Sequence, residues 1–567
     1  MQPSLVSSVC RAFRVARANT FVHRLICGAI GLLLLSAAWS AHANVYATNI
    51  RLRGSINPTP STATVYVYCN AVRDTVQIGY ILNEPATAGV TVEILAGTTP
   101  VWSRGIPSGD PGTQRGVNTL VWGVTNNAGN IVALGSYAVR ITAAADGHFD
   151  WTQITDDFSP GSYAYQPASI AVNQNTNSLD YGRVFVGNAE LGFNPEFEPG
   201  DQLGIRKLNA DGSPAFGDFS AGGWVWSGNQ VSPWKIEVSD DDYVYVNDWA
   251  AGGLVMRFDQ SIAFDLRAMV LRQDNRPNGG AANLSGPFIT GTGTDTQIWM
   301  ADVTAEGTGI RRWTVSGDGT VATNDLGVTI VSAGTNSDLS LYPFDLALDR
   351  SNRIYTIQNI EAAGDLSSRV LRFPDPAGSV LPLTNADWHI GGGDNTMRGA
   401  SGIAVDPSGQ YVAVAFKGAG TGLARTGGGV RLFSAADGSD ILTLTPAPYH
   451  HHTDVAWDNV GNLYVLDNWD SVWRAFSPPG PNLATTVAAQ TLEVTDPPLA
   501  PFLEARGYEG GQFFFALYGR TNINYVIEAS TNFHFWEAVA TNQVDCDNQV
   551  IPVGATTSTR FFRAYTR

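Results

Sequence analysis

The chain has 567 residues, 60 of them glycine, and a formal net charge of −17 with 34 Lys plus Arg. So acidic a chain, whose lysines are Lys207, Lys235 and Lys417, argues against nucleic acid and anionic membranes as partners, because both bind through dense basic patches. The length implies several domains, and Gly-punctuated β-branched and aromatic segments without helical periodicity after residue 44 imply an all-β fold.

Residues 1–43 read as an export signal. Arg11, Arg14, Arg17 and Arg24 form a basic start, residues 25–38 an apolar run, and Ala41-His42-Ala43 a small-residue cleavage motif. A membrane anchor is the competing reading. No later stretch reaches the ~20 apolar residues of a spanning helix. The mature protein is therefore expected in the periplasm, on the cell surface or secreted. Beyond residue 43 two cysteines remain, Cys69 and Cys546. Cys69 shares a strand face with Val65 and Val67 and reads as a small buried hydrophobe. A disulfide between the two is the alternative in an oxidising compartment.

Residues 44–146 are expected to form a β-sandwich. The segment TVQIGYILNEPATAGVTVEIL reads as two strands around Asn-Glu-Pro, and RGVNTLVWGVTNNAGNIVALGSYAVRITA as three more. Tyr80, Leu82, Pro85, Gly89, Asn118, Trp122, Gly129, Asn130, Gly135, Tyr137 and Arg140 together resemble the FlgD-type Ig-like domain, although Gly123-Val124 stands where that family has Asp-Gly. The resemblance implies spacing or adhesion rather than catalysis. Residues 146–157 then form a link in which Trp151-Thr152-Gln153-Ile154 can close a ring of repeats.

Residues 147–495 carry the repeats. The copy at 453–476, TDVAWDNVGNLYVLDNWDSVWRAF, shows three short strands and a polar turn at 458–462. First strands open at Pro167, Pro233, Pro287, Pro343, Ala400 and His452, a step of about 50–65 residues that marks a propeller with one sheet per blade. The pattern P-x-x-I-A-V-D-x-x-G-x-hydrophobic-Y-V-x-D, then V-x-R-F, resembles the NHL-type six-bladed propeller family, best in blades five and six. Such propellers serve both as binding scaffolds and as enzymes. Residues 499–567 (FFFALYG, NYVIEAS, HFWEAVA, RFFRAYTR) read as a small C-terminal β-sandwich. They resemble a terminal domain of large secreted bacterial β proteins.

Function is expected on the face bearing the long loops between second and third strands, since loops on a rigid scaffold carry sites. The second strands end on Asn188, Asp248, Asp302, Gln358, Phe416 and Asp467. A ring of carboxylates and amides can hold Ca²⁺, which takes oxygen ligands, and His450 and His452 with Asp467 or Asp454 can join such a metal site. The competing reading is that these residues cap turns through backbone N–H groups. A ligand sector is expected where blades six, one and two meet: Trp249 and Trp469 follow matching strand ends and flank Glu190, Glu196, Glu198, Asp248 and Asp467. Indole faces beside carboxylates suit sugar rings or cations. There is no G-x-S-x-G elbow for a serine hydrolase, and the Gly-rich 418–429 stretch lacks the Lys of a phosphate loop. Two functions therefore stay open. One is an exported binding protein for an extracellular glycan or protein. The other is a propeller enzyme of lactonase, lyase or glycoside-active type, metal-assisted or not.

Overall fold

The computed structural model describes residues 44–54, 61–67, 75–190, 203–263, 268–303, 309–332, 343–359, 368–391, 397–420, 426–444, 451–497, 500–520, 522–544, 550–554 and 561–566. Both Cys69 and Cys546 lie outside them, and so does the signal segment. Strands dominate, joined by turns and a few 3-10 turns. Among the described residues no helix is long and apolar enough to cross a membrane.

Six four-stranded antiparallel sheets form the propeller. Their first strands are Pro167–Val172, Lys235–Val238, Leu284–Thr290, Pro343–Leu348, Ala400–Val405 and His452–Trp457, and these adjoin in cyclic order, with the sixth beside the first. Each blade is completed by an outer strand that the sequence marks poorly, such as Pro214–Ser220 or Trp388–Gly391. Blade six takes its outer strand from Thr152–Gln153, which pairs with Ser477 and Phe476. Chain from before the first blade thus closes the ring and removes an open sheet edge. Arg474 reinforces the closure through Asp157 (2.9 Å), Asp467 (3.0 Å) and Asp470 (2.9 Å).

The turn grammar of the repeat has a direct cause. Asp458 Oδ1 accepts the N–H groups of Val460 (3.1 Å) and Asn462 (2.8 Å). Asp406 does the same for Gln410 and Tyr411, and Asp349 for Ser351 and Arg353. A carboxylate that satisfies two backbone donors makes a tight first-to-second turn. Between blades six and one, Tyr464 stacks on Trp473 at 5.9 Å within a core that includes Ile170 and Val184.

Two readings need correction. Blade three opens at Leu284, three residues before Pro287, because Leu284 pairs with Asp302 and Phe288 with Trp299. The second correction concerns the boundary at 495. Strands Gly480–Val487 and Thr491–Thr495 belong to the N-terminal sandwich, not to the propeller. The first pairs with Gly135–His148, and the second lies between that strand and Thr62–Tyr66. Leu492 and Val494 enter the same core as Tyr80, Trp122, Tyr137 and Val139. The propeller is therefore inserted between strands of the sandwich, and strand pairing across that insertion has no local sequence signal. At the C-terminus two three-stranded sheets share a core of Phe515, Leu517, Tyr525, Ile527 and Ile551.

Candidate functional site

The axis of the ring is built in layers by the first strands. Alternate residues of a strand point to opposite faces, so every second residue of each first strand meets the axis. On the face of the long loops the axis is closed by aromatic rings. Trp234 packs against Trp249 at 4.8 Å and Phe344 at 5.6 Å, and Trp249 meets Phe344 at 5.2 Å. Lys417 Nζ lies 5.3 Å from the centre of the Trp234 ring.

Below that plug lies a charged layer. The strand pairings place Ser169, Lys235, Asp345 and Gly402 at equivalent positions of blades one, two, four and five, and Gly286 and Asp454 lie at the bulges of blades three and six, two residues before the paired Phe288 and Ala456. The three long side chains come from alternate blades, with small residues between them. Lys235 Nζ is 2.6 Å from Asp454 Oδ1 and 3.1 Å from Asp345 Oδ2. Each aspartate leans over the glycine of the preceding blade: a Cβ on Gly402 would lie 2.5 Å from Asp454 Oδ1, and one on Gly286 2.2 Å from Asp345 Oδ1. Each also accepts an N–H from the following blade, Asp454 from Ile170 (3.0 Å) and Asp345 from Ile403 (3.2 Å). Burial drives both carboxyls above the usual aspartate range, against the pull of Lys235. Burial alone would lower the Lys235 ammonium; the two carboxylates outweigh it and hold it above the usual lysine value.

The next layer is a chamber. Its wall positions are Ala171, Glu237, Phe288, Ala347, Ala404 and Ala456, so four methyl groups leave space that Glu237 and Phe288 only partly fill. The cavity has a volume of about 490 Å³ and extends to the first-to-second turns, at Asp240, Arg350, Asn352 and Asn459. Among the described residues no hydrogen bond reaches the Glu237 carboxyl, which faces the cavity while protein encloses it. Burial raises it well above the usual glutamate value, and Asp345, Asp454 and Asp240 add to the shift by like-charge repulsion. A carboxyl so placed keeps its proton to higher pH than a free glutamate and can donate a hydrogen bond or a proton.

This places the cavity on the turn face, opposite the long loops where the sequence pointed. The residues expected to form a ligand sector are not brought together there. Trp249 is part of the axial plug. Trp469 is 47 % exposed and shares no ring contact with Trp249. Glu190 stands at the start of its loop, while Glu196, Glu198 and His450 lie outside the described residues. The second-strand ends do not converge on a metal either. Asp248 accepts Trp224 Nε1–H (2.8 Å) and Ala251 N–H (3.2 Å); Asp467 accepts Trp469 N–H (3.0 Å) and Arg474. Asn188 and Asp302 are buried at the ends of their strands. His452 is fully buried with Nδ1 3.1 Å from Leu466 O. Among the described residues no group of three or more His, Cys, Asp or Glu is placed to hold a metal ion. Asp248 and Asp467 are engaged in turn capping, and Asp467 also in the ion pair with Arg474, the competing reading of the same pattern.

Lys235, Glu237 and Asp345 escaped the sequence reading, and Asp454 figures there only as a partner for the histidines before it. Their signal was present: a charged residue inside PWKIEV, PFDLAL and HTDVAW, where the other first strands carry Ser or Gly.

No protein-family model matches the sequence, and no curated protein matches it. Among solved structures the chain is similar to β-propeller proteins. A protein of unknown function from Bacteroides thetaiotaomicron aligns over 76 % of this chain and 98 % of its own, at 12 % identity and TM-score 0.36. A gluconolactonase from Xanthomonas campestris aligns over 60 % and 90 %, at 12 % identity and TM-score 0.35. A streptogramin B lyase aligns over 56 % and 94 %, at 11 % identity and TM-score 0.32. The chain is an all-β protein with a β-propeller at its centre, and likeness this distant says nothing about its chemistry.

Proposed function

We propose that the protein is exported and binds a small polar ligand, of monosaccharide or polyol size, in the axial chamber on the turn face. The observation that supports this is Glu237: a carboxyl without a protein hydrogen-bond partner among the described residues, raised in pKa, facing a cavity of about 490 Å³. That volume is typical of small-molecule sites, which are concave and carry few, fixed polar groups. The Phe288 ring and the alanine methyls offer an apolar surface to the C–H face of a sugar. The Glu237 carboxyl, which keeps its proton to higher pH than a free glutamate, offers a donor to a hydroxyl. The Lys235–Asp345–Asp454 layer forms a rigid polar floor. Glycan binding therefore moves from the loop face to the chamber.

A second reading rests on the same residue. A carboxyl whose pKa is raised is suited to act as a general acid, which favours a propeller enzyme that donates a proton to a leaving oxygen. Two variants separate the readings. Glu237→Gln keeps a hydrogen-bond donor but cannot transfer a proton; Glu237→Ala keeps neither. A thermal-shift screen with monosaccharides, polyols and sugar acids, followed by NMR of the mixtures, measures binding and turnover together. Binding by wild type and Glu237→Gln, lost in Glu237→Ala, supports the binding protein. Turnover lost in both variants supports the enzyme. A hit unaffected by either variant places its site elsewhere.

A further inference from the structure

We infer that the α-amino group released by cleavage between Ala43 and Asn44 is a structural part of the mature protein, an ammonium seated on Ser477 Oγ above the buried Glu84 carboxylate. The inference shares the export reading with the proposed function but is independent of the axial chamber.

Two independent observations meet at residue 44. In the sequence, Ala41-His42-Ala43 closes the export signal, so hydrolysis there adds water across the Ala43–Asn44 bond, leaving the new carboxyl on Ala43 and the amine on Asn44. In the structure, the segment from Asn44 is buried: Asn44 is 3 % exposed, and Val45, Tyr46 and Ala47 are fully buried. Its backbone is held by three separate elements. The Asn44 N–H donates to Ser477 Oγ (3.0 Å), at the end of the third strand of blade six. Its carbonyl accepts from Asn83 Nδ2 (3.0 Å) of the sandwich and from Asn462 Nδ2 (2.9 Å) of the blade-six turn.

The hydrogen bond to Ser477 does not end there. Ser477 Oγ, itself buried, donates to Glu84 Oε1 at 3.0 Å. Glu84 is 4 % exposed, and its other oxygen meets His148 Nε2 at 2.8 Å. A neutral peptide N–H needs one acceptor and no counter-charge. A buried carboxylate does need one, because an uncompensated ion is strongly unfavourable in the interior. Among the described residues the ion-pair partner of Glu84 is His148. An α-ammonium on Asn44 adds a positive charge to this network through the Ser477 hydroxyl, and so ties the sandwich to blade six. Because Asn44 is buried in the fold, the cut must precede folding, as cleavage during export does.

The sign of the pH dependence follows. Burial lowers the folded-state pKa of the α-amino group and the Glu84 carboxylate raises it; the carboxylate must outweigh burial, as the carboxylates do at Lys235, so that the pKa stands above its unfolded value of about 7.7–8.0. The stabilisation is then complete below that value and is lost as pH rises through the folded pKa. The titratable groups facing the site are Glu84, His148, Asp458 beside Asn462, and Tyr46, Tyr181 and Tyr464.

The test has two arms. In the first, the full chain is expressed with export and its mature N-terminus read by intact mass; a start at Asn44 is expected, and any other start overturns the inference. In the second, a chain starting at a free Asn44, released from a cleavable fusion, is compared with the same chain Nα-acetylated, by melting temperature from pH 6 to 10. The free-amine form is expected to melt several degrees higher at pH 6–7, with the gap closing towards pH 10. Glu84→Gln removes the gap and His148→Gln leaves it. Equal melting temperatures at every pH, or a gap that survives Glu84→Gln, overturn the inference.

Discussion

Lys235 Nζ of blade two lies 2.6 Å from Asp454 Oδ1 of blade six, so the ring is tied across its axis by residues more than two hundred positions apart. With Asp345 of blade four, alternate blades meet at one buried ammonium. Replacing one partner of such a cluster leaves charge without compensation, an effect of about 3–5 kcal/mol. Lys235→Met is expected to destabilise the chain by about that amount in urea unfolding. Adding Asp345→Asn and Asp454→Asn to it should restore a substantial part of the loss, and a triple variant no more stable than the single one would contradict the assignment.

Glu237 sets a pH dependence. Its folded-state pKa is raised, so above the unfolded value of about 4.3 the native chain retains a proton that the unfolded chain has released. Stability then falls as pH rises from that value towards the folded pKa. Glu237→Gln is expected to flatten the decline in melting temperature between pH 5 and 8 and to raise the melting temperature at pH 8. Parallel pH curves for wild type and variant would refute the shift.

Gly402 is required by the charged layer. A methyl group there would sit 2.5 Å from Asp454 Oδ1 and 2.6 Å from Asp454 Cα. Backbone, and not only a side-chain tip, would have to move. Gly402→Ala should cost about 1–3 kcal/mol, as overpacking does, whereas Gly409→Ala, with open space around its Cβ, should show only the strain of its positive φ.

Trp249 and Trp469 are predicted to behave oppositely. Trp249 fills the axial plug against Trp234 and Phe344, so Trp249→Ala should lose about 3 kcal/mol. Trp469 is half exposed, so Trp469→Ala should stay within about 0.5 kcal/mol. Equal effects in thermal unfolding would show that Trp249 is not part of the plug.

The sandwich should depend on chain that follows the propeller. A fragment of residues 44–146 lacks both Gly480–Val487 and Thr491–Thr495, leaving Thr62–Tyr66 without its partner and Gly135–His148 with Gly89–Ala96 alone. It is expected to be unfolded by circular dichroism and rapidly digested by trypsin. Joining residues 44–148 to 479–497 through a short flexible linker should restore a cooperative melt.

Much of the architecture was legible in residue order alone. The repeated Pro-x-x-Ile-Ala-Val, the turn carboxylates Asp349, Asp406 and Asp458, and the alternation in Tyr137, Val139 and Ile141 are local patterns. They arise because a strand pairs with its neighbour and a turn satisfies its own N–H groups, and the same locality made Trp151–Ile154 recognisable as the closing strand. Tertiary structure decided the rest. Whether Lys235, Asp345 and Asp454 meet depends on six strands converging on one axis. Whether Trp249 faces solvent or plugs that axis depends on Phe344, two blades away. Whether Thr491–Thr495 belongs to the propeller or the sandwich depends on where a fold of over three hundred residues returns its chain. Local hydrogen bonding writes the blades into the sequence, whereas the charged layer, the chamber beneath it and the socket around Asn44 exist only where distant segments meet.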